Sequence, residues 1–389
     1  MKNNKGITLV ALVVTIVVLL ILAGVSINLV LGNNGIIAKA KEAETKSAEA
    51  SQNDLKGMNG LVSEMEGALA GNGSTGSGSG NGNTGSGNNF VTKNTEVTYP
   101  DGKVWIPEGF KVADDSASTV QGGVVIEDKD RNQFVWVPVA TIADYKRTWY
   151  TGDGSFSDYS EALPEDEKTS LERYKGFYIG RYEAGDKEST VAKTLRSSND
   201  VTKTVTIKAN QAPYNYVTRT QAISLAEGFE KQQGYKAKTK LVSSYAWDTT
   251  IAFLQKVNSD YGSSSEEGNY NDTTFSYTDI TGARQTKEKS SPVLVPTGQT
   301  TPVCNIYDMG GNVFEWSNER YSPGPEPYCL RGGEYKFASS TGSPAGFRTK
   351  RYIIRCQRCY RVQACLIYVD LSPVCSNSSI ARSEPKVII

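Results

Sequence analysis

The longest apolar run of the chain lies at its N-terminal end. No charged residue interrupts it from Ile7 to Leu31, and Lys2 and Lys5 precede it. A helix of about 20 residues crosses the roughly 30 Å apolar core of a membrane, so we expect this run to form a transmembrane helix. Positive charge favours the cytoplasmic side. The pattern therefore predicts a single-pass anchor in the cell membrane, with the rest of the chain outside the cell.

Two segments of different character follow the apolar run. Residues 32–70 are rich in Ala, Glu and Lys, which favour helix, and predict a helical stalk. Residues 71–94 consist mainly of Gly, Ser, Asn and Thr and predict a flexible linker with a reach of about 25 Å. Residues 95–369 are expected to form the globular domain. Residues 370–389 form a tail for which the pattern predicts no structure.

Within the domain, short apolar runs alternate with turn-forming residues. Residues 122–140 hold two apolar runs around Asp-Lys-Asp-Arg-Asn, which predicts a β-hairpin, and residues 176–185 predict a strand. Residues 219–229 and 244–258 carry apolar residues at helical spacing. Ser-rich and Gly-rich loops connect these elements. The pattern indicates an α+β domain with few helices.

Composition narrows the possible chemistry. The chain contains 42 basic and 42 acidic residues and no histidine. Without histidine there is no Ser-His-Asp or Cys-His nucleophile and no HExxH zinc site. The balanced charge provides no overall field that would favour nucleic acid, so we expect no nucleic-acid partner. The 21 Tyr against 11 Phe are typical of a surface that binds through Tyr rings and equally of a β-rich domain.

The junction before the apolar run resembles the processing site of type IV pilins and pseudopilins. It reads Lys5-Gly6-Ile7-Thr8-Leu9. The resemblance implies a leader of residues 1–6, cleavage after Gly6 by a prepilin peptidase, and methylation of Ile7. The retained helix would anchor the protein and could pack against pilin-like subunits. Ala11 stands where that family usually has the Glu associated with filament register, and a plain single-pass anchor is the alternative.

Three motifs near the C-terminus carry a second resemblance. They are "NIYDMGGNVFEWSNE" at 305–319, "CLRGGEY" at 329–335 and "SPAGFR" at 343–348. With "FYIGRYEAG" and "AWDTTIAFLQ" they resemble the formylglycine-generating enzyme, or sulfatase-modifying-factor, family over residues 102–369. The resemblance implies that family's C-type lectin-like fold. Arg331 is expected to be buried and paired with carboxylates, because a planar guanidinium satisfies several acceptors at once.

The same resemblance implies one metal site. In the enzymes, the loop that corresponds to residues 308–315 holds calcium. Here Asp308 and Glu315 would supply carboxylates, and Gly311 and Val313 would supply carbonyl oxygens, as a hard cation requires. No other cofactor is expected.

The positions of the cysteines argue against the family's enzymatic activity. Those enzymes are copper-dependent oxidases whose two copper-binding cysteines lie four residues apart, shortly after R-G-G. After Arg331-Gly332-Gly333 the first cysteines are Cys356 and Cys359, with two residues between them, so we expect no enzyme. Cys304 and Cys329 flank motifs that are neighbours in this fold, and an extracellular location favours a disulfide between them.

The segment after R-G-G resembles the cassette of variable proteins from diversity-generating retroelements, which share this scaffold. In those proteins, adenine-directed mutagenesis replaces ligand-contacting residues, and a closing strand like residues 360–369 follows. We therefore expect a variable region at 334–369. The density of Arg, Cys and Ile in 351–359 is unusual for a surface that binds nothing. The predicted ligand-contacting residues are Tyr335, Lys336, Phe337, Ser339, Ser340 and Gly342 in one loop, and Arg351, Tyr352, Ile353, Ile354, Arg355, Cys356 and Arg358 in the next.

The sequence thus predicts a surface-displayed protein that binds an unknown protein or surface ligand through hypervariable loops. A minor pseudopilin or filament-tip subunit is the main alternative, and a copper oxidase is the third. A frameshifted or decayed end over residues 350–389 would also explain the unusual segment.

Overall fold

The computed structural model describes residues 89–150, 161–202, 205–263, 267–320, 328–339, 344–351, 363–365 and 367–370. The chain divides into two units, Met1–Asn81 and Gly82–Ile389, and every described residue belongs to the second. The predicted leader, transmembrane helix and stalk, most of the linker, and residues 371–389 lie outside the described residues. Gly6, Ile7 and Ala11 are among them. Within the described ranges, no helix has the length and apolar character needed to span a membrane.

Three α-helices occur in the described residues: α1 (Glu165–Tyr174), α2 (Arg219–Gln233) and α3 (Ser244–Leu254). The sequence predicted α2 and α3. It did not predict α1, which is mostly charged and buries only one stripe, from Glu167 through Leu171 to Tyr174. Both predicted helices begin at a side-chain cap. Thr218 accepts from the backbone of α2 and Ser243 from that of α3, as helix N-termini require.

The strands are short and are numbered along the chain. They are β1 (Thr95–Tyr99), β2 (Gly102–Ile106), β3 (Lys111–Val112), β4 (Val125–Glu127), β5 (Gln133–Pro138), β6 (Gly176–Gly180), β7 (Gly185–Asp186), β8 (Val205–Thr206), β9 (Ala212–Pro213), β10 (Lys238–Leu241), β11 (Phe275–Thr278), β12 (Arg284–Lys287), β13 (Phe314–Arg320), β14 (Tyr328–Arg331), β15 (Arg348–Arg351), β16 (Gln363–Cys365) and β17 (Ile367–Asp370). The domain is therefore mixed α and β, as predicted.

The largest sheet has six strands in the order β10-β17-β6-β5-β4-β3, and all neighbours are antiparallel. β4 and β5 form the predicted hairpin, and β6 is the predicted strand. β17 lies between β10 and β6, where Tyr368 pairs with both Lys240 and Ile179. The expected closing strand is thus an internal part of this sheet.

Alternate residues of β5 face two different parts of the core, as the two-residue period of a strand requires. Phe134 and Trp136 pack in one cluster with α2 and with β13 and β14. Val135 and Val137 pack in another cluster with α3. The six-stranded sheet therefore separates the two clusters.

A second sheet carries the sequence motifs. Its order is β15-β14-β13-β16, with β13 and β16 parallel and the other pairs antiparallel. The remaining described strands form the pairs β1-β2 and β11-β12 and the three-stranded sheet β8-β7-β9. The second sheet places the Asp308–Glu315 loop beside the R-G-G motif, where the Gly311 amide donates to the Gly332 carbonyl at 2.8 Å.

The predicted disulfide between Cys304 and Cys329 is wrong. Both residues are buried free thiols. Cys304 packs in the cluster with α3, and the Gln121 amide donates to its sulfur at 3.6 Å. Cys329 lies within β14, and Ser317 Oγ donates to its carbonyl at 3.0 Å. The motifs are neighbours, but Cys304 packs in the cluster with α3 and Cys329 does not belong to that cluster.

Candidate functional site

A buried group of four charged side chains lies at the R-G-G motif and is here called the ion-pair network: Arg331, Arg348, Asp248 and Glu319. Arg331 donates to Asp248 at 2.5 Å and to Glu319 at 2.6 Å. Arg348 donates through Nε to Glu319 at 2.8 Å and through Nη2 to Asp248. All four side chains have 0% exposure. The expected buried, carboxylate-paired role of Arg331 is confirmed.

Electrostatics keep the network ionised. Arg147 adds a third guanidinium, 2.8 Å from Glu319. Burial raises the pKa of Glu319, but Arg331, Arg348 and Arg147 outweigh burial and lower that pKa to about 2. Burial likewise lowers the pKa of Arg331, but Asp248 and Glu319 raise it further than burial lowers it. Removing one partner would leave an uncompensated buried charge.

The network fixes both ends of the chain segment between β14 and β15, here called the first loop (residues 332–347). Arg331 precedes this loop and Arg348 follows it, and the two residues are cross-strand partners. Both bind the same two carboxylates. Trp247 of α3 holds the loop again, since its indole N–H donates to the Ala345 carbonyl at 3.0 Å. The two ends of the loop are therefore fixed to the buried part of the domain.

Two predicted contact residues of the first loop reach the surface. Lys336 is exposed and Tyr335 is half-buried. The ring of Tyr335 packs against Val313, and the Lys336 ammonium lies 5.2 Å from the ring centroid. Such a pair offers an aromatic face and a charge to a ligand.

Two other predicted contact residues, Phe337 and Ser339, attach the first loop to the rest of the domain. Phe337 is half-buried, with its ring centroid 6.3 Å from that of Phe314. Ser339 is 3% exposed, and its amide and hydroxyl donate to the Asp272 carboxylate at 2.9 and 3.1 Å. Their predicted role as ligand contacts stays a prediction. They fix the loop, and the burial of Ser339 leaves little of it for a ligand.

Residues 352–362, between β15 and β16, are here called the second loop and lie outside the described residues. The backbone of Arg351 ends β15 and pairs with Tyr328 of β14. The remaining predicted contact residues also lie outside the described residues: Ser340, Gly342, Tyr352, Ile353, Ile354, Arg355, Cys356 and Arg358.

The predicted calcium loop and the nearby Glu183 contain buried carboxylate oxygens without hydrogen-bond partners. Asp308 is 3% exposed, and Glu315 and Glu183 are 0% exposed. Neither oxygen of Glu315 makes a hydrogen bond, and neither do Asp308 Oδ1 and Glu183 Oε2. Burial raises the pKa of Asp308 to about 7. Burial, with repulsion from Glu183 and Asp308, holds the pKa of Glu315 well above its ordinary value.

No group of three His, Cys, Asp or Glu residues in the described ranges is arranged to hold a metal ion. A cation in this loop would therefore need backbone carbonyls beside its carboxylates. Gly332 lies close by with φ +84°, where an added Cβ would collide with Glu315 Oε2. Sequence reasoning did not single out Glu183, although it lies in the "FYIGRYEAG" motif.

No protein-family model matches the chain, and no curated protein is similar to it in sequence. Two solved structures are similar at 13% identity. "Crystal Structure of CarF" has a TM-score of 0.36 and covers 62% of this chain and 98% of its own. "Treponema denticola variable protein 1" has a TM-score of 0.31 and covers 62% of this chain and 96% of its own.

The low pKa of Glu319 predicts that the free energy of unfolding depends on pH in the acid range. Its folded-state value of about 2 lies below its ordinary 4.5, so its stabilising effect is complete above pH 4.5 and is lost as the pH falls towards 2. We expect Glu319→Gln to lower the free energy of unfolding at neutral pH by about 3–5 kcal/mol. The difference from wild type should shrink below pH 4.5, measured by urea denaturation.

The exposed Glu288 provides the control. Glu288→Gln should follow the wild-type curve at every pH. A constant difference between Glu319→Gln and wild type across the acid range would contradict the assignment.

Proposed function

We propose that the chain is a ligand-binding protein with a C-type lectin-like fold, diversified by a retroelement in its C-terminal loops. The observation that carries the proposal is the arrangement of the first loop. Arg331 and Arg348 fix its two ends to the same buried carboxylates, while Lys336 in its middle is exposed. Residues in such a loop can be replaced without loss of the core, which a diversified binding surface requires.

The chemistry of the cysteines supports binding over catalysis. Burial raises the pKa of Cys304 to about 11 and that of Cys329 above its ordinary range. Buried thiols with raised pKa values are poor nucleophiles and poor ligands for soft metals. The chain also contains no histidine that could act as a general base.

Display outside the cell belongs to the same proposal. The apolar run from Ile7 to Leu31 would anchor the protein, with prepilin peptidase cutting after Gly6. The linker at 71–94 would separate the binding domain from the membrane and from any pilin-like subunits. A structural role as a pseudopilin remains the second candidate, favoured by the Lys5-Gly6-Ile7 junction.

A structural calcium ion is a further part of the proposal. The unpartnered oxygens of Asp308 and Glu315 fit a hard cation, and the carbonyls of Gly311 and Val313 would complete its shell. The ion would neutralise buried carboxylates beside the R-G-G motif and so stabilise the base of the first loop. It would take no part in a reaction.

DNA sequencing of the genomic locus tests the diversification. We expect a near-identical repeat of the 3′ coding end close to a reverse transcriptase gene, differing only at adenines. The differences should fall in the codons of Tyr335, Lys336 and residues 351–359. The codons of Arg331 and Arg348 serve as internal controls and should be unchanged, because the ion-pair network needs both. An intact locus without a repeat would refute the proposal.

Thermal unfolding tests the calcium ion. Calcium at about 100 times its dissociation constant should stabilise the wild-type protein by about 3 kcal/mol relative to EDTA. Glu315→Gln should abolish this response, and without calcium it should be no less stable than wild type because a buried charge is removed. Glu288→Gln, on the exposed surface, should respond as wild type does. A melting temperature that calcium leaves unchanged would exclude the site.

A further inference from the structure

A cavity of about 360 Å³ lies where three helices begin. The first turn of α1 lines it, together with Arg219, the first residue of α2, and Ser244, the first residue of α3. Arg320 at the end of β13 and Tyr328 at the start of β14 also line the cavity. All the lining residues precede residue 334, so the cavity lies outside the predicted variable region.

Arg219 brings a buried positive charge to the cavity. Arg219 is 8% exposed, and its guanidinium carbon lies 3.4 Å from the ring centroid of Tyr328. It donates to the Ser317 carbonyl at 3.2 Å and to Asn318 Oδ1 at 2.8 Å. Both acceptors are neutral, and Nη1 has no partner among the described residues. Burial lowers the pKa of Arg219 only to about 10, so it stays protonated at neutral pH.

The cavity's lysine is already neutralised. Lys240 binds Asp166 at 2.6 Å and Glu167 at 2.8 Å. Glu167 also accepts hydrogen bonds from Tyr145 and Ser243. These groups satisfy one another, and two carboxylates against one ammonium leave no positive charge for a ligand.

Two arginines and two carboxyl groups, those of Glu161 and Glu165, remain. Arg320 is exposed, forms no ion pair within the described residues, and lies 5.6 Å from the Tyr328 ring centroid. Its charge adds to that of Arg219, and the two repel each other. Glu161 accepts a hydrogen bond from Ser244 at 2.6 Å, and burial raises its pKa to about 7. Glu165 is exposed and lies 3.6 Å from Lys168. Arg219 and Arg320 are therefore the cations of the cavity lining that no carboxylate of the described residues binds.

We infer that this cavity binds a carboxylate group carried by the ligand, held between Arg219 and Arg320 beside the ring of Tyr328. Guanidinium groups match carboxylates in geometry and charge. Helix N-termini, here those of α2 and α3, also favour anions.

The cavity would supply a constant contact beside the variable ones. Tyr328 is the strand partner of Arg351, which precedes the second loop. A ligand anchored by its carboxylate at Tyr328 would extend towards that loop. This relation to the variable region rests on the proposed function, whereas the carboxylate site itself does not.

Binding of small probes to the purified full-length chain tests the inference. Glutarate represents the acidic groups of proteins and glucuronate those of sugars; glutaramide and glucose are their neutral counterparts. By ligand-observed NMR, at least one acid should bind and its neutral counterpart should not, and the preferred acid identifies the source of the carboxylate. Arg320→Gln and Arg219→Lys should each weaken binding by about tenfold, the effect of one charged hydrogen bond.

Arg284→Gln is the matched control, because Arg284 is an exposed arginine on β12, away from the cavity. It should bind as wild type does. Arg320 is exposed, so Arg320→Gln should leave the fold intact. This variant therefore tests the inference even if Arg219→Lys does not fold. Equal binding by Arg320→Gln and wild type, equal binding of acids and neutral probes, or no binding of either acid would overturn the inference. None of these results would affect the locus test, and a locus without a repeat would leave the cavity's binding unchanged.

Discussion

The contacts of Arg331 and Arg348 with Asp248 and Glu319 are the interaction on which the rest of the structure depends. They join α3, β13, β14 and β15 at one fully buried point. Burying four charged side chains costs desolvation free energy that burying hydrophobic side chains does not. Such a network is therefore, by itself, weak evidence that the fold is very stable. Its effect here is geometric. Because each arginine must meet both carboxylates, the strands on either side of the first loop have one arrangement.

That arrangement separates the buried residues that must stay constant from the loop residues that can be replaced. The first loop is held at its ends by the network and again by Phe337 and Ser339, which leaves Tyr335 and Lys336 towards the surface. The closing strand β17 is paired on both sides in the six-stranded sheet. A cassette between these fixed parts can vary in sequence while its surroundings keep their packing. The proposed carboxylate cavity would add a contact with the same ligand that sequence variation in the loops does not alter.

Local patterns predicted the hairpin β4-β5 and the helices α2 and α3, because spacing and turn residues determine these features within a few positions. The burial of Arg331 was predicted from its R-G-G motif and from the several acceptors that a planar guanidinium can satisfy. Helix α1 was missed because its sequence is mostly charged and Glu167 is buried only through partners distant in sequence. The partners of Arg331 could not be chosen from the sequence, since nothing local distinguishes a buried carboxylate from a solvated one. Adjacent motifs suggested a bond between Cys304 and Cys329, but adjacency of two backbones does not determine where a neighbouring side chain points.

The central claim is that the loops can be replaced on a fixed base and then bind new partners. A display library that randomises residues 335, 336 and 352–358, selected for binding to a single probe protein such as lysozyme, tests it most directly. The account predicts that most members stay resistant to protease and that some bind the probe specifically. A matched library at residues 337, 339 and 348 should consist mostly of protease-sensitive members. Equal protease sensitivity of the two libraries, or a folded first library without binders, would contradict the account.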